Sequence, residues 1–187
     1  MGIWGVLTDL VYFKSVKLIE KKPINAQLIG AGIDFGISDP TVVLKSYILE
    51  SNVYIEVLVN TRNLPTTSPN GLNLVDELRR LKIPGIIQAD AEDKTSIHTL
   101  RAHNLDVLPA LKGPGSIISG IKKLQQFGTI YILNNEYGEA AYSDFTNYHR
   151  KKTPAGIILD NPAEGQEDHT IDAARYSLSR SIITQNN

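Results

Sequence analysis

Gln27 to Phe35 is an apolar run that contains Asp34 near its end, and it predicts a buried strand. Thr41 to Glu50 and Val53 to Asn60 are rich in β-branched residues, and Ser51-Asn52 between them predicts a tight hairpin turn. Leu64 to Gly71 is a loop by composition. Leu74, Val75, Leu78 and Leu81 then mark one face of a helix within Leu72 to Leu81, which Pro84-Gly85 breaks. Ile86 to Ala89 reads as a short buried strand followed by Asp90. Thr95 to His103 suits a helix, and Val107 to Leu111 another strand. Lys112-Gly-Pro-Gly115 is a sharp turn, with Ser116 placed to cap a helix from Ile117 to about Phe127. Thr129 to Leu133 is strand-like.

The segment from Asn134 to Pro162 has the weakest pattern. Within it, Thr153-Pro-Ala-Gly156 predicts a hairpin tip between Tyr148–Lys152 and Ile157–Asp160. Asp168 to about Ile182 reads as a closing helix. Residues 1 to 26 show no clear period and read as a lead-in or linker to a domain over 27–187. Three strands, then alternating helices and strands, then a helix, predict an α/β domain. Its mixed central β-sheet would have an antiparallel three-strand start and flanking helices.

Acids recur at the ends of these elements. Asp34 ends the first strand, in Gly32-Ile-Asp-Phe-Gly36. Asp90 ends the strand that starts at Ile86, and Glu92 lies two residues on. In Asp168-His-Thr-Ile-Asp172-Ala-Ala-Arg175-Tyr, Asp168, His169 and Asp172 stand three and four apart and so share a helical face. A carboxylate at a strand end is held rigidly while its oxygens point out of the core. Several together repel, and a divalent cation cancels that repulsion; hard oxygen donors suit Mg²⁺ and Mn²⁺. Two such ions about 3.5–4 Å apart can activate water on one side of a phosphodiester and stabilise the leaving oxygen on the other. Taken singly, each acid has an ordinary explanation: Asp34 or Asp90 as a turn residue, Asp168 as a helix N-cap.

Composition narrows the classes. The chain has 187 residues, 42% hydrophobic and 21% charged, as expected for one globular domain. No apolar run nears the roughly 20 residues that span a bilayer, and the first residues lack the pattern of a signal peptide. With no cysteine, disulfides and thiolate metal sites are excluded. The net charge of -1 is unlike that of a protein that coats DNA. Basic residues are nonetheless clustered, at Arg79-Arg80, at Lys122-Lys123 and at Arg150-Lys151-Lys152.

Four segments together resemble a known family. Gly32-Ile-Asp-Phe-Gly-Ile-Ser-Asp-Pro-Thr41, Gln88-Ala-Asp-Ala-Glu92, Lys112-Gly-Pro-Gly-Ser-Ile117 and Asp168-His-Thr-Ile-Asp-Ala-Ala-Arg-Tyr176 are similar, in order, to motifs of the nuclease domain of tailed-bacteriophage terminase large subunits. The resemblance spans about Gly30 to Leu178. It implies an RNase H-like fold and a metal-dependent endonuclease that cleaves concatemeric double-stranded DNA during genome packaging, using two Mg²⁺ or Mn²⁺ ions. By position, Asp34, Asp90 and Asp172 would be the catalytic metal carboxylates. His169 would be a further ligand or proton carrier, with Glu92 and Asp168 accessory. Asp93 departs from the family, where proline is expected.

The resemblance also implies an ATPase motor, a portal and a small terminase subunit as partners, no membrane, and a place in the cytoplasm of an infected bacterial host. No G-x-x-x-x-G-K-[ST] occurs here; in Gly115-Ser-Ile-Ile-Ser-Gly120, Ile121 stands where Lys is required. The motor would therefore belong to the rest of a longer protein. Lys94, Lys112, Arg150, Lys151 and Lys152 are the expected DNA-binding residues. The alternatives are another RNase H-like nuclease of resolvase or transposase type, a non-catalytic DNA-binding or docking module, and an actin-like or sugar-kinase fragment. A dinucleotide site is excluded, because Phe35 stands where the third glycine of Gly30-Ala-Gly32 should follow.

Overall fold

A computed structural model describes Phe13 and residues 15–181. The remainder of the lead-in, and Ile182 at the expected end of the last helix, lie outside the described residues. Among the described residues the main sheet has seven strands: β1 (Val16–Ile19), β2 (Gln27–Asp34), β3 (Pro40–Leu49), β4 (Asn52–Arg62), β5 (Ile87–Ala89), β6 (Val107–Pro109) and β7 (Ile130–Leu133). Their order is β1-β7-β4-β3-β2-β5-β6. Strand β3 pairs antiparallel with both β2 and β4, and every other pairing is parallel. The sheet is thus mixed, with the expected antiparallel β2–β4 unit at its centre.

The hairpin turn falls one residue earlier than expected. Leu49 pairs with Asn52, and Glu50 takes the left-handed conformation with φ 53°. A larger difference is β1. It lies within residues 1–26, outside the expected domain, yet forms the edge of the sheet by pairing in parallel with β7. A four-residue edge strand has no local signal strong enough to reveal a partner more than a hundred residues away.

Five helices flank the sheet among the described residues: α1 (Leu74–Leu81), α2 (Lys94–Ala102), α3 (Ser116–Gln125), α4 (Gly138–Asn147) and α5 (His169–Ser177). Alternation along β3 sends Val42 and Leu44 to one face and Val43 to the other. On the first face they pack with Ile121 and Leu124 of α3, Phe145 of α4 and Ile171 of α5. On the second, Val43 and Ile33 pack with Leu78 of α1 and Leu100 of α2. Each sheet face therefore buries its own core, the three-layer solution for a sheet covered on both sides.

Caps explain several boundaries. Asn73 accepts the Asp76 N–H at 3.0 Å to start α1. Asp93 accepts the Ser96 N–H at 2.8 Å to start α2, which gives the acid at this position a structural task. Ser116 is not the expected cap: it is the first residue of α3, and Gly115, with φ 76°, is the N-cap. In the poorly patterned segment the expected hairpin forms, as β8 (Arg150–Lys152) and β9 (Ile158–Pro162) in a separate antiparallel ribbon. Helix α4 had no counterpart in the sequence reading.

Candidate functional site

The site is assembled where β2, β5 and α5 meet. Gly30, Gly32 and Asp34 alternate onto the β2 face that carries α5. A Cβ on Gly30 would stand 2.0 Å from the Ser177 carbonyl oxygen, and one on Gly32 would stand 1.9 Å from that of Ala173. Only glycine lets the helix backbone come so close. Two residues of strand rise about 6.6 Å and four residues of helix about 6 Å, so the two elements run in step. The next rung after Gly30–Ser177 and Gly32–Ala173 is Asp34–His169. There His169 Nδ1 lies 2.8 Å from Asp34 Oδ2. Parallel pairing of β5 with β2 sets Ala89 opposite Ile33, and the Asp90 N–H donates to the Ile33 carbonyl at 3.0 Å. Asp90 is thereby carried to the same sheet end as Asp34.

Each carboxylate has a positively charged or proton-donating neighbour. Lys112 Nζ donates to Asp90 Oδ1 at 2.6 Å and to Glu92 Oε1 at 3.2 Å, so the Lys-Gly turn delivers its lysine to both acids of the second motif. The Glu92 N–H also donates to Asp90 Oδ1, at 2.8 Å, and the Tyr176 hydroxyl donates to Asp90 Oδ2 at 3.2 Å. Arg175 donates to Asp172 Oδ1 through Nη2 at 2.6 Å and Nε at 3.1 Å. The Arg175 side chain is buried beneath that pair.

Electrostatics separates the three acids. Burial raises Asp34 to about 6; the His169 hydrogen bond opposes this, and the charges of Asp172 and Asp90 add to it. Burial also pushes Asp90 upward, but Lys112, the Glu92 N–H and Tyr176 outweigh it and hold the carboxyl below its usual value. The hydrogen bond that His169 donates to Asp34 raises the imidazole against the effect of burial. Tyr176 is raised by burial and by Asp172, Asp34 and Asp90, which keeps it a proton donor. Helix α5 bonds to Asp34 through His169 and to Asp90 through Tyr176, and it carries Asp172 between those two residues.

Among the described residues, no three His, Asp or Glu side chains stand together as a ready-made metal-binding group. The donor set nonetheless suits a hard divalent cation: carboxylate oxygens and an imidazole, around an acid raised by burial and further by its acidic neighbours.

Sequence reasoning overlooked three participants. Arg175 and Tyr176 lie inside the last motif but carried no role. The i, i+3 spacing of Asp172 and Arg175 is the signal for their pairing. Asp144 lies on the unforeseen α4 and accepts the Thr170 hydroxyl at 2.6 Å beside His169. Burial raises it to about 6. Asp168 is the N-cap of α5 by position but makes no side-chain capping bond; burial and Asp172 raise it.

The expected DNA-binding residues fall into two groups. Lys94 and Lys112 line a cleft beside the acids. Arg150, Lys151 and Lys152 form β8 of the ribbon, whose base is tied by Gln166 accepting the His149 N–H at 2.9 Å and donating to its carbonyl at 3.1 Å. Lys151 is paired with Glu164.

The family model of the terminase RNase H-like domain matches residues 74–180. The chain belongs to this family. The match includes Asp90, Glu92, Lys112, His169 and Asp172, while Asp34 lies before it. It favours the terminase over the resolvase, transposase and kinase alternatives. Solved terminase structures share the fold. The g2p large terminase nuclease domain of bacteriophage SPP1, with bound Mn, is 23% identical, with a TM-score of 0.72 over 91% of this chain and 99% of that one. The large terminase nuclease of thermophilic phage G20c, with bound magnesium, is 14% identical, with a TM-score of 0.61 over 91% and 97% of the two chains. The large terminase of another thermophilic bacteriophage, in complex with ADP, is 17% identical with a TM-score of 0.60, and the match covers 88% of this chain but 42% of that one. No curated protein matches the chain.

Proposed function

We propose that this terminase-family domain is a divalent-metal-dependent endonuclease that cleaves concatemeric double-stranded DNA during genome packaging. The observation that carries the reading is that one helix bonds to Asp34 through His169 and to Asp90 through Tyr176, with Asp172 on the same helix between them. Mn and magnesium in the SPP1 and G20c nuclease structures support a divalent cofactor. Asp34, Asp90 and Asp172 would hold two Mg²⁺ or Mn²⁺ ions, with His169 as a further ligand or proton carrier. The metal would supply activated water and would offset charge on the phosphodiester.

The chain's own residues do the rest. Lys112 positions Asp90 and Glu92, Arg175 fixes the rotamer of Asp172, and Tyr176 holds Asp90 from the opposite side. Lys94, Lys112 and the basic ribbon would grip phosphates without reading sequence. Attack of water on phosphorus with the 3′-oxygen as leaving group would give 5′-phosphate and 3′-hydroxyl ends. In the full-length protein an ATPase motor would feed DNA to this domain, in the cytoplasm of an infected bacterium, with the portal and small terminase subunit as partners. The longer, ADP-bound large terminase supports the motor.

The test is supercoiled plasmid with Mn²⁺, Mg²⁺ or EDTA, and with an Asp172 variant. Asp172→Ala would leave the buried Arg175 unpaired, at a cost of about 3–5 kcal/mol. Asp172→Asn, which keeps a hydrogen-bond acceptor, is therefore tested beside it, and folding is checked by circular dichroism. Metal-dependent nicking that EDTA and folded Asp172→Asn both abolish is expected. No cleavage by folded wild-type protein with either metal would overturn the reading for this domain.

A further inference from the structure

Two clefts flank the loop from Asp90 to Asp93, and they differ sharply in charge. One, of about 720 Å³, is lined by Asp90, Glu92 and Asp93 and, among the described residues, by no Lys or Arg. The other, of about 600 Å³, is lined by Lys94, His98, Arg101, Lys112 and Arg180, and among the described residues no acid lines it. In a chain of net charge -1, such a separation of charge is not the ordinary mixing of a solvated surface.

The basic cleft is built by particular elements. Lys94, His98 and Arg101 lie four and three residues apart, on one face of α2. Opposite, Arg180 donates to Gln88 Oε1 at 2.9 Å and to the Pro109 carbonyl at 3.0 Å. Those bonds fix the guanidinium against the β5–β6 edge while using only part of its donor set. Lys112 lines this cleft and also bonds to Asp90. From Lys94 to Arg101 the helix rises about 10 Å. That equals the rise of about three base pairs of duplex DNA, so the row suits successive phosphates of a strand better than one small anion.

We propose that this cleft is a backbone subsite that holds the phosphates of one DNA strand directly beside the cut, with Arg101, Arg180 and His98 joining Lys94 and Lys112. The proposal rests on the nucleic-acid reading of the neighbouring acids. Lys112 is the hinge of the arrangement: it links the strand held in the cleft to the carboxylate at the reacting end.

The test is binding of a fluorescein-labelled duplex, followed by anisotropy in EDTA across a salt series. The proteins are wild type, Lys94→Gln, Arg101→Gln, the double variant and the exposed control Lys17→Gln. Both cleft residues are exposed on α2, so their substitution leaves the core intact. Each single cleft variant should lower the slope of log affinity against log salt by about one, and the double variant by about two. Lys17→Gln should bind as wild type. A double variant with the wild-type slope would overturn the subsite and leave the endonuclease reading standing. Wild-type protein that binds no duplex at low salt would overturn the subsite as well. Failure of the endonuclease reading is seen separately, as absence of metal-dependent plasmid cleavage.

Discussion

Asp34 is where the site's electrostatic strain is concentrated. Burial raises it to about 6, with Asp172 and Asp90 adding to the effect. A carboxyl whose folded pKa exceeds its unfolded value near 3.9 binds more protons in the native state. Its contribution therefore falls as pH rises from about 4 through about 6. The shift corresponds to about 3 kcal/mol at most. Asp34→Asn mimics the protonated form, so in EDTA it should melt higher than wild type at pH 7 and lose much of the slope between pH 4 and 6. Some slope should remain, because Asp144 is also raised to about 6. His169, raised mainly by Asp34, acts with the same sign at higher pH: its contribution is full below about 6.5 and is lost as pH rises through its folded value. A lower melting temperature for Asp34→Asn at pH 7 would contradict this account. At this scale strand ends and a shared helical face single out Asp34, Asp90, His169 and Asp172 in the sequence, and the fold carries them on β2, the end of β5 and α5, which pack together. The sequence was silent on their partners. Lys112 reaches Asp90 only because β5, β6 and the turn after β6 are folded side by side.

The elements work through their spacing. The rungs Gly30–Ser177, Gly32–Ala173 and Asp34–His169 place the side chains of the candidate site at the end of a helix–strand contact where the strand tolerates no Cβ. Gly32→Ala would need α5 to move away from β2, which also separates His169 and Asp172 from Asp34. Overpacking of this kind costs about 1–3 kcal/mol and the clash here is with backbone, so a loss at the upper end is expected. Cleavage should fall further than stability does. Thermal melts and plasmid assays on Gly32→Ala would show this, and full activity in a folded variant would mean that the ladder does not set the site. Sequence pattern located β2 to β7 and the β8–β9 hairpin, because their apolar runs are bounded by turn residues. It missed α4 because Gly138 opens it, Ser143, Thr146 and Asn147 close it, and its buried contacts reduce to few side chains such as Ala141 and Phe145. The Gly30-Ala-Gly32 pattern imitates a phosphate loop, but its glycines serve the approach of a helix.

At the scale of the molecule, the proposed metal can be detected in the folding equilibrium. The carboxylates converge only when β2, β5 and α5 are assembled, so the unfolded chain has no such site. A ligand that binds only the native state stabilises it by mass action, by about 2.7 kcal/mol at a hundred times its dissociation constant. In a domain of this size that corresponds to a rise in melting temperature of roughly 5–11 °C. Metal must displace the Asp34 proton, and with a pKa of about 6 the carboxyl is only about one-tenth ionised at pH 5. The rise with Mn²⁺ should therefore be large at pH 7.5, small at pH 5, and reversed by EDTA. Asp34→Asn should melt high in EDTA and gain little from Mn²⁺, the opposite of wild type on both counts. That reversal separates a metal-linked carboxylate from one that is merely buried: a buried structural acid would reproduce the first effect without the second. Equal stabilisation by Mn²⁺ in wild type and variant, or none in wild type at pH 7.5, would remove Asp34 from the proposed ligand set.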